Sequence, residues 1–130
     1  MKPEESLQEL IGRIGLDAAE LRERLRLLDW RHDDPPRLQQ AADEASDAHR
    51  AFVDRLYEHL GHFPGPAALL SDPVGVARLK HRQPDYYQRL WRGPYDRDYV
   101  LGRLRIGLIH QLAGVEPKWY LAGYRLYLDA

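Results

Sequence analysis

One histidine of this chain stands out because of its neighbours. His110 lies in the segment RLRIGLIHQLAG, residues 103–114, where apolar residues recur at helical spacing and glycines lie three residues before it and four after it. A glycine inside a helix costs on the order of 1 kcal/mol relative to alanine, so Gly107 needs a reason. Gly107 and Gly114 share a helix face with His110 and leave room beside the imidazole. A flat ligand coordinated by a ring nitrogen needs that room. The ordinary alternative is a core histidine that donates to a backbone carbonyl.

Other chemistry is sparse in this sequence. His59 and His62 resemble a metal-ligand pair, but without a third ligand they are better explained as surface histidines. The chain has no cysteine, which excludes disulfides, a thiolate nucleophile and Cys-ligated metals. It also lacks a phosphate-binding glycine loop, a nucleophile elbow and an evident carboxylate pair. We therefore predict that the protein is not an enzyme.

Composition and charge narrow the class further. The chain has 130 residues, 44% hydrophobic and 30% charged, which suits one globular domain with one core. Its net charge of −1 provides no basic field for nucleic acid. The charged N-terminus and the lack of any run of about 20 apolar residues predict neither a signal peptide nor a membrane span. We expect a bacterial-type cytoplasmic protein.

The hydrophobic pattern is helical almost throughout. We predict an N-terminal arm from about residue 4 to 28 with a break near Gly15 and Asp17, and a long helix that Asp-Asp-Pro-Pro starts and GHFPGP ends. After a short apolar turn, further helices are expected over residues 73–92, with a kink at Pro84, and over 97–113. Gly114 ends the latter, and Pro117 begins a last helix that is apolar nearly all round and needs cover.

The segment from Arg103 to Tyr120, with His110 and the sequence GVEPKWY, resembles the proximal-helix motif of the globin-coupled sensors, the sensor-globin branch related to protoglobins and haem-based aerotaxis transducers. FVDRLY at residues 52–57 resembles the B helix of that family, VARLK at 76–80 the start of its E helix, and GPYDRDYV at 93–100 the approach to the proximal helix. The resemblance covers roughly residues 12–128.

This resemblance implies an all-α globin fold with an extra N-terminal helix and no D helix. Residues 1–130 would form one domain, with the arm at 1–30 and the globin core at 34–130. It implies one b-type haem, with His110 as the proximal iron ligand, Tyr57 as the distal hydroxyl and Tyr120 as a partner of the other ring nitrogen of His110. Because dioxygen takes up negative charge on binding ferrous haem, a hydroxyl donor stabilises it by about 1.5–3 kcal/mol, so Tyr57 would favour O2 over CO.

Haem also needs apolar walls and cations for its propionates. The candidates for the walls are Phe52, Leu56, Leu79, Ile106 and Trp119, of which Leu79 matches the family's apolar distal position. The candidates for the cations are Lys80, Arg82 and Arg103. Plain core packing and ordinary solvation are the alternatives for these residues.

The sequence departs from the family in three respects. Pro84 interrupts the E helix, and Gln83 beside it competes with Tyr57 as distal donor. The chain ends within the G helix, so the H helix is expected to be missing. A methyl-accepting, cyclase or kinase output region is likewise expected to be missing.

The predicted function is a haem-based gas sensor. O2, or alternatively CO or NO, would bind at the iron, and the proximal and last helices would transmit the change to a homodimer partner or an output module. Two alternatives remain open: a haem-free sensor globin that acts as a protein-interaction module, and a haem enzyme such as a nitric oxide dioxygenase. The latter would need a distal acid–base group or a reductase.

Overall fold

The computed structural model of the protein describes residues 3–130 and, within that range, consists of helices without any β-strand. The helices are α1 (Pro3–Ile14), α2 (Ala18–Leu27), α3 (Asp34–Leu60), α4 (Pro64–Leu69), α5 (Pro73–Arg92), α6 (Arg97–Leu112) and α7 (Pro117–Leu128). The all-α class is therefore confirmed, and the predicted helices lie where the sequence places them.

The break in the N-terminal arm has a simple local cause. Gly15 has a positive φ of 64°, and the following Leu16 N–H donates to the Ile11 carbonyl at 3.2 Å, which closes α1. Asp17 then caps α2, since its carboxylate accepts from the Glu20 N–H at 2.8 Å. The predicted break at Gly15 and Asp17 is thus present.

The helix α3 begins where the Asp-Asp-Pro-Pro sequence predicts, but no aspartate side chain caps it at the N-cap position. Asp33 occupies the N-cap position, yet its side chain makes no capping hydrogen bond and pairs instead with Arg37 at 2.8 Å. Two prolines in the first turn have no N–H that would need a partner there.

The segment expected to be a short apolar turn contains the helix α4. Pro64 stands in its first turn, which suits a residue without an N–H, so the prolines here begin a helix rather than only ending one. Asp72 caps α5 by accepting from the N–H groups of Val74 and Gly75 at 3.1 and 3.0 Å. A Cβ at Gly75 would lie 2.8 Å from the Asp72 carboxylate, so a larger residue here would require that side chain to shift.

Helices α6 and α7 are joined by a tight reversal. Gly114 has a φ of 74°, and the N–H of Val115 donates to the carbonyl of His110 at 2.9 Å. This is the hydrogen bond of a Schellman motif, in which glycine supplies the left-handed residue that ends the helix. The predicted stop at Gly114 and the start at Pro117 are both present.

The buried apolar side chains form two separate clusters. In the first, α1 and Leu16, two residues beyond its end, pack on one face of α6. The buried members are Leu7, Ile11, Leu16 and Leu108, with Val100, Leu101 and Leu104 around them. In the second, α3 packs on α5 and is crossed by α7, through Phe52, Val53, Leu56 and Tyr87 with Tyr57, Leu60, Tyr86, Leu90, Leu126 and Tyr127 around them. Among the described residues the two clusters share no member.

The last helix keeps part of its apolar surface exposed, as its composition predicts. Gly123 is buried against Leu56 of α3, whereas Leu121 and Leu128 are 62% and 79% exposed. No helix in the described part of the chain combines the length and the apolar character that a membrane crossing requires.

Candidate functional site

The face of α6 that carries His110 points away from α1. Leu101, Leu104 and Leu108 pack into the cluster with α1. At 100° per residue, Arg103 and His110 fall on the opposite side of the helix. On that side Arg103 reaches Tyr86 of α5, where its Nη2 donates to the Tyr86 carbonyl at 3.5 Å. The His110 face is thus turned toward the α3–α5–α7 cluster without belonging to its core. We call this side the proximal side.

The imidazole of His110 lies flat against Tyr120. Their ring centroids are 5.4 Å apart and their planes are inclined by 17°. Partial burial lowers the pKa of His110, because desolvation penalises the imidazolium. A neutral ring with a free nitrogen is the form that binds metals. Tyr120 thus contacts His110 through stacked ring faces, whereas the resemblance implied a partner for the second ring nitrogen.

The space beside Gly107 is open. A Cβ built on this residue would meet no atom of another residue within 4 Å, apart from its chain neighbours and its own helix backbone. The conformation of Gly107 does not require glycine either, since its φ is not positive. An open face one turn before His110 agrees with the expectation that the glycine leaves room for a bulky planar group.

Tyr57 and Gln83 form a polar contact between α3 and α5. The hydroxyl of Tyr57 donates to Oε1 of Gln83, and burial raises the pKa of Tyr57 to about 12. The phenol therefore remains protonated, and remains a donor, throughout the physiological range. We call this the distal side. The sequence alone presented Tyr57 and Gln83 as competing donors, whereas here they are donor and acceptor.

A cavity of about 380 Å³ adjoins Tyr57 where α3, α4 and α5 meet. Its remaining lining consists of Glu58, Gly61, Ala67, Leu70, Val76 and Lys80. The ammonium group of Lys80 lies 3.3 Å from the carboxylate of Asp54. Lys80, predicted as a propionate partner, is already paired with an acidic residue in this structure.

Arg103 lies between two tyrosine rings. Its guanidinium carbon is 4.1 Å from the centroid of Tyr86 and 4.8 Å from that of Tyr99. The hydroxyls of Tyr86 and Tyr124 are 3.0 Å apart, so this aromatic group joins α5, α6 and α7. Within the described part of the chain, Nη1 of Arg103 is buried and has no hydrogen-bond partner. A buried donor of this kind is costly unless an acceptor, best an anion, reaches it.

The five predicted wall residues occupy different environments. Phe52 is only 1% exposed and packs edge-on against Tyr87 and Tyr127, within the core. Trp119 packs on Phe63, with ring centroids 5.5 Å apart, near α4. The remaining three are Leu56, buried between α3 and α7, Leu79, 47% exposed on α5, and Ile106, half-buried on α6.

A buried histidine that the sequence left isolated is the centre of a polar network. His49 is 3% exposed, its Nδ1 is 3.0 Å from the side-chain nitrogen of Gln88, and its Nε2 is 2.9 Å from the hydroxyl of Tyr127. Trp91 also donates to that hydroxyl. Burial lowers the pKa of His49. No local pattern marks this network, because its members come from three helices.

His59 and His62 show no sign of a metal centre. Their ring centroids are 6.3 Å apart, and within the described residues no group of three or more His, Cys, Asp or Glu side chains is placed to hold a metal ion. This agrees with their interpretation as surface histidines.

Comparison with known proteins agrees with the geometry. Residues 17–130 match the protoglobin family. The haem-based aerotactic transducer HemAT of Halobacterium salinarum is 34% identical over 119 residues, which is 91% of this chain and 24% of that protein. The chain thus spans about a quarter of the length of this relative. No solved structure matches the chain.

The fold and the family match define the class as an all-α globin. The chain belongs to the protoglobin family.

Proposed function

We propose that residues 1–130 form one sensor-globin domain that binds a b-type haem and responds to a diatomic gas, principally O2. His110 is the proposed iron ligand, and Tyr57 is the proposed donor on the distal side. The observation that carries the proposal is the position of His110 on the face of α6 that α1 leaves uncovered, one turn from the open space at Gly107. Haem would supply a centre at which O2, CO or NO binds reversibly.

The side chains present fit such a group. The lowered pKa of His110 favours a neutral imidazole with a nitrogen free for iron. The buried Nη1 of Arg103 lacks an acceptor, and a haem propionate is a carboxylate that would provide one. Ile106 and the half-exposed Leu79 offer apolar surface on α6 and α5. Covalent attachment through thioethers is excluded by the absence of cysteine, which supports the b type.

The relative strengthens this proposal. A transducer described as haem-based and aerotactic matches this chain over nearly all of its length, which supports both haem binding and a sensing role. The match covers about a quarter of that protein, so it supports the gas-binding domain and not any output activity of the transducer.

The decisive experiment is visible absorption spectroscopy of protein produced with a haem supply, reduced and then exposed to O2 and to CO. We expect a Soret band that shifts with each gas and that is lost, or loses its five-coordinate ferrous form, in His110→Ala. The matched control is His32→Ala, which removes an exposed histidine from the turn before α3. Its spectrum should equal that of the unaltered protein.

Two results would count against the proposal. Absence of haem uptake would favour a haem-free interaction module, and an unchanged spectrum in His110→Ala would assign the iron to another ligand. We also propose that the domain is not an enzyme. NO consumption with O2 and reductant should therefore not exceed that of free haem.

We also propose that α7 forms a homodimer contact and passes the ligation state to a partner or output module. The exposed Leu121 and Leu128 support this, since both lie on α7, which follows the His110 helix directly. Sedimentation analysis should show dimers that Leu121→Arg weakens at least about 10-fold. Leu27→Arg, at an 85% exposed leucine of α2, is the control and should leave the dimer intact.

A further inference from the structure

Gln83 holds two tyrosine hydroxyls at once. Its Oε1 accepts the hydrogen bond of Tyr57, and its side chain also hydrogen-bonds Tyr87, an interaction that acts to lower the Tyr87 pKa against the larger raising effect of burial. Gln83 lies one turn beyond Leu79 on α5 and is itself half-buried. The three groups link α3 and α5 on the distal side of the proposed site.

The direction of these bonds can be assigned from the chemistry. A hydrogen bond lowers the pKa of a phenol when it is donated to the phenol oxygen, because it stabilises the phenolate. Since the amide oxygen of Gln83 accepts from Tyr57, the amide nitrogen is the group left to donate to Tyr87, which agrees with the lowering effect of this bond on the Tyr87 pKa. Both ends of the amide are satisfied in this arrangement.

A tyrosine hydroxyl has one hydrogen to donate. In the structure that hydrogen of Tyr57 is committed to Gln83, so it is not available to a ligand in the distal space. We propose that Gln83 sets the O2 affinity of the domain by competing with the ligand for the single Tyr57 hydrogen. This inference rests on the proposed haem-based function, and it makes Gln83 a positioning residue that lowers affinity rather than a second donor that raises it.

The Tyr57 hydrogen can be freed for a ligand without leaving any of the three side chains without a hydrogen-bond partner. If the amide of Gln83 turns over, its nitrogen donates to the oxygen of Tyr57 and its oxygen accepts from the hydroxyl of Tyr87, which can donate as well as accept. The Tyr57 hydrogen is then free for a ligand. The same three side chains thus have two satisfied arrangements, and only one of them offers the hydrogen to O2.

The test compares four haem-loaded proteins: the unaltered chain, Gln83→Leu, Tyr57→Phe and the double variant. We expect Gln83→Leu to slow O2 dissociation about 3- to 10-fold, the factor that corresponds to one net hydrogen bond, and to change CO dissociation less than about 2-fold. In the Tyr57→Phe background the same substitution should have no effect on O2. Gln39→Leu is the matched control, because it removes a glutamine hydrogen bond to the Arg92 carbonyl between the same two helices, away from Tyr57.

A change of the O2 dissociation rate in the opposite direction would overturn the inference. Faster O2 dissociation in Gln83→Leu, also in the Tyr57→Phe background, would make Gln83 itself the donor to the ligand, and an unchanged rate would give it no role. Either result leaves haem binding and the proposed function standing. Failure of the unaltered chain to bind haem would instead remove the proposed function, and this inference with it.

A second readout does not use haem. Urea unfolding of the same four haem-free proteins forms a double-mutant cycle for the Tyr57–Gln83 bond. We expect the effects of the two substitutions on the unfolding equilibrium constant to be coupled by about 3- to 10-fold. Additive effects would mean that the bond does not exist in solution.

Discussion

Nε2 of His49 lies 2.9 Å from the hydroxyl of Tyr127, which joins the middle of α3 to the end of α7 across 78 residues of sequence. The amide oxygen of Gln88 accepts from Arg92 at 3.0 Å, so its nitrogen is the group that faces Nδ1 of His49. Nδ1 is therefore an acceptor and Nε2 carries the proton. A second proton, on Nδ1, would point at the amide nitrogen of Gln88, which is itself a donor, so the hydrogen bond between them would be lost.

This geometry predicts how stability depends on pH. Since burial lowers the pKa of His49, the unfolded chain binds a proton below about pH 6.5 that the folded chain does not yet bind. The free energy of unfolding should thus fall as the pH decreases from about 7 toward 5. His49→Gln should cost about 1–2 kcal/mol at pH 7.5 through lost hydrogen bonds, and it should make the fall with pH shallower.

Urea unfolding of the haem-free proteins at pH 7.5, 6.5 and 5.5 measures this effect. The lowered pKa of His110 contributes equally to both proteins and cancels in their difference. His32→Gln, at an exposed histidine, is the control and should follow the unaltered protein. Parallel curves for His49→Gln and the unaltered protein would show that His49 does not titrate as the structure requires.

Tyr57 should control the dissociation rate of O2 but not that of CO. Tyr57→Phe removes the hydroxyl hydrogen for which Gln83 and the ligand compete, so O2 dissociation should be about 10-fold faster or more, while CO dissociation changes less than about 3-fold. Because the pKa of Tyr57 is raised to about 12, the O2 dissociation rate of the unaltered protein should be flat between about pH 7 and 10. Stopped-flow ligand replacement measures both. A step in the rate near pH 8 would point to another titrating group.

Arg103 should contribute more to haem retention than to the stability of the apoprotein. Arg103→Met removes two cation–π contacts and the long hydrogen bond to the Tyr86 carbonyl, but it also removes an unpartnered buried donor. These effects are of similar size and opposite sign. We expect the unfolding free energy of the apoprotein to change by less than about 1 kcal/mol. Haem transfer to an excess of apomyoglobin should be about 10-fold faster, since a charge-assisted hydrogen bond is lost. Arg97→Met, at the exposed start of α6, is the control. Equal transfer rates would mean that Arg103 holds no propionate.

Tyr120 should act through its ring rather than its hydroxyl. The stacked geometry predicts that Tyr120→Phe keeps the haem dissociation rate within about 2-fold, whereas Tyr120→Leu raises it about 3- to 10-fold, the range for one aromatic pair. The iron–histidine stretching frequency should likewise be unchanged in the Phe variant only. If both variants raise the haem dissociation rate equally, the hydroxyl of Tyr120 is the group that holds His110, as the sequence-based expectation implies.

The helix boundaries could be predicted well because their causes are local. The signals that start or end a helix lie within a few residues of its end. Examples are Asp72 before Pro73, and Gly114 before Pro117. The helix α4 was missed because six residues are too few to show a 3.6-residue period, and the two prolines in it are ordinarily signs of a turn.

The polar contacts of the site could not be predicted, because each depends on how the helices pack. Tyr57 meets Gln83 across 26 residues, and His49 meets Gln88 across 39. Likewise, the spacing of Phe52 predicts that it is buried, and it is, but not whether a cofactor or Tyr87 covers it. Periodicity identifies the inward face of a helix without identifying its neighbour.

The hydrogen bond from Val115 to the His110 carbonyl ties the turn that leads into α7 to the last turn of the histidine helix. The twelve residues of α7 extend about 18 Å from this turn, at about 1.5 Å per residue. A tilt of about 5° at the turn would therefore carry the Leu128 end through about 1.6 Å, by the lever geometry of a helix of that length. A small rotation at the His110 end of this reversal would thus become a larger displacement at the opposite end of the last helix.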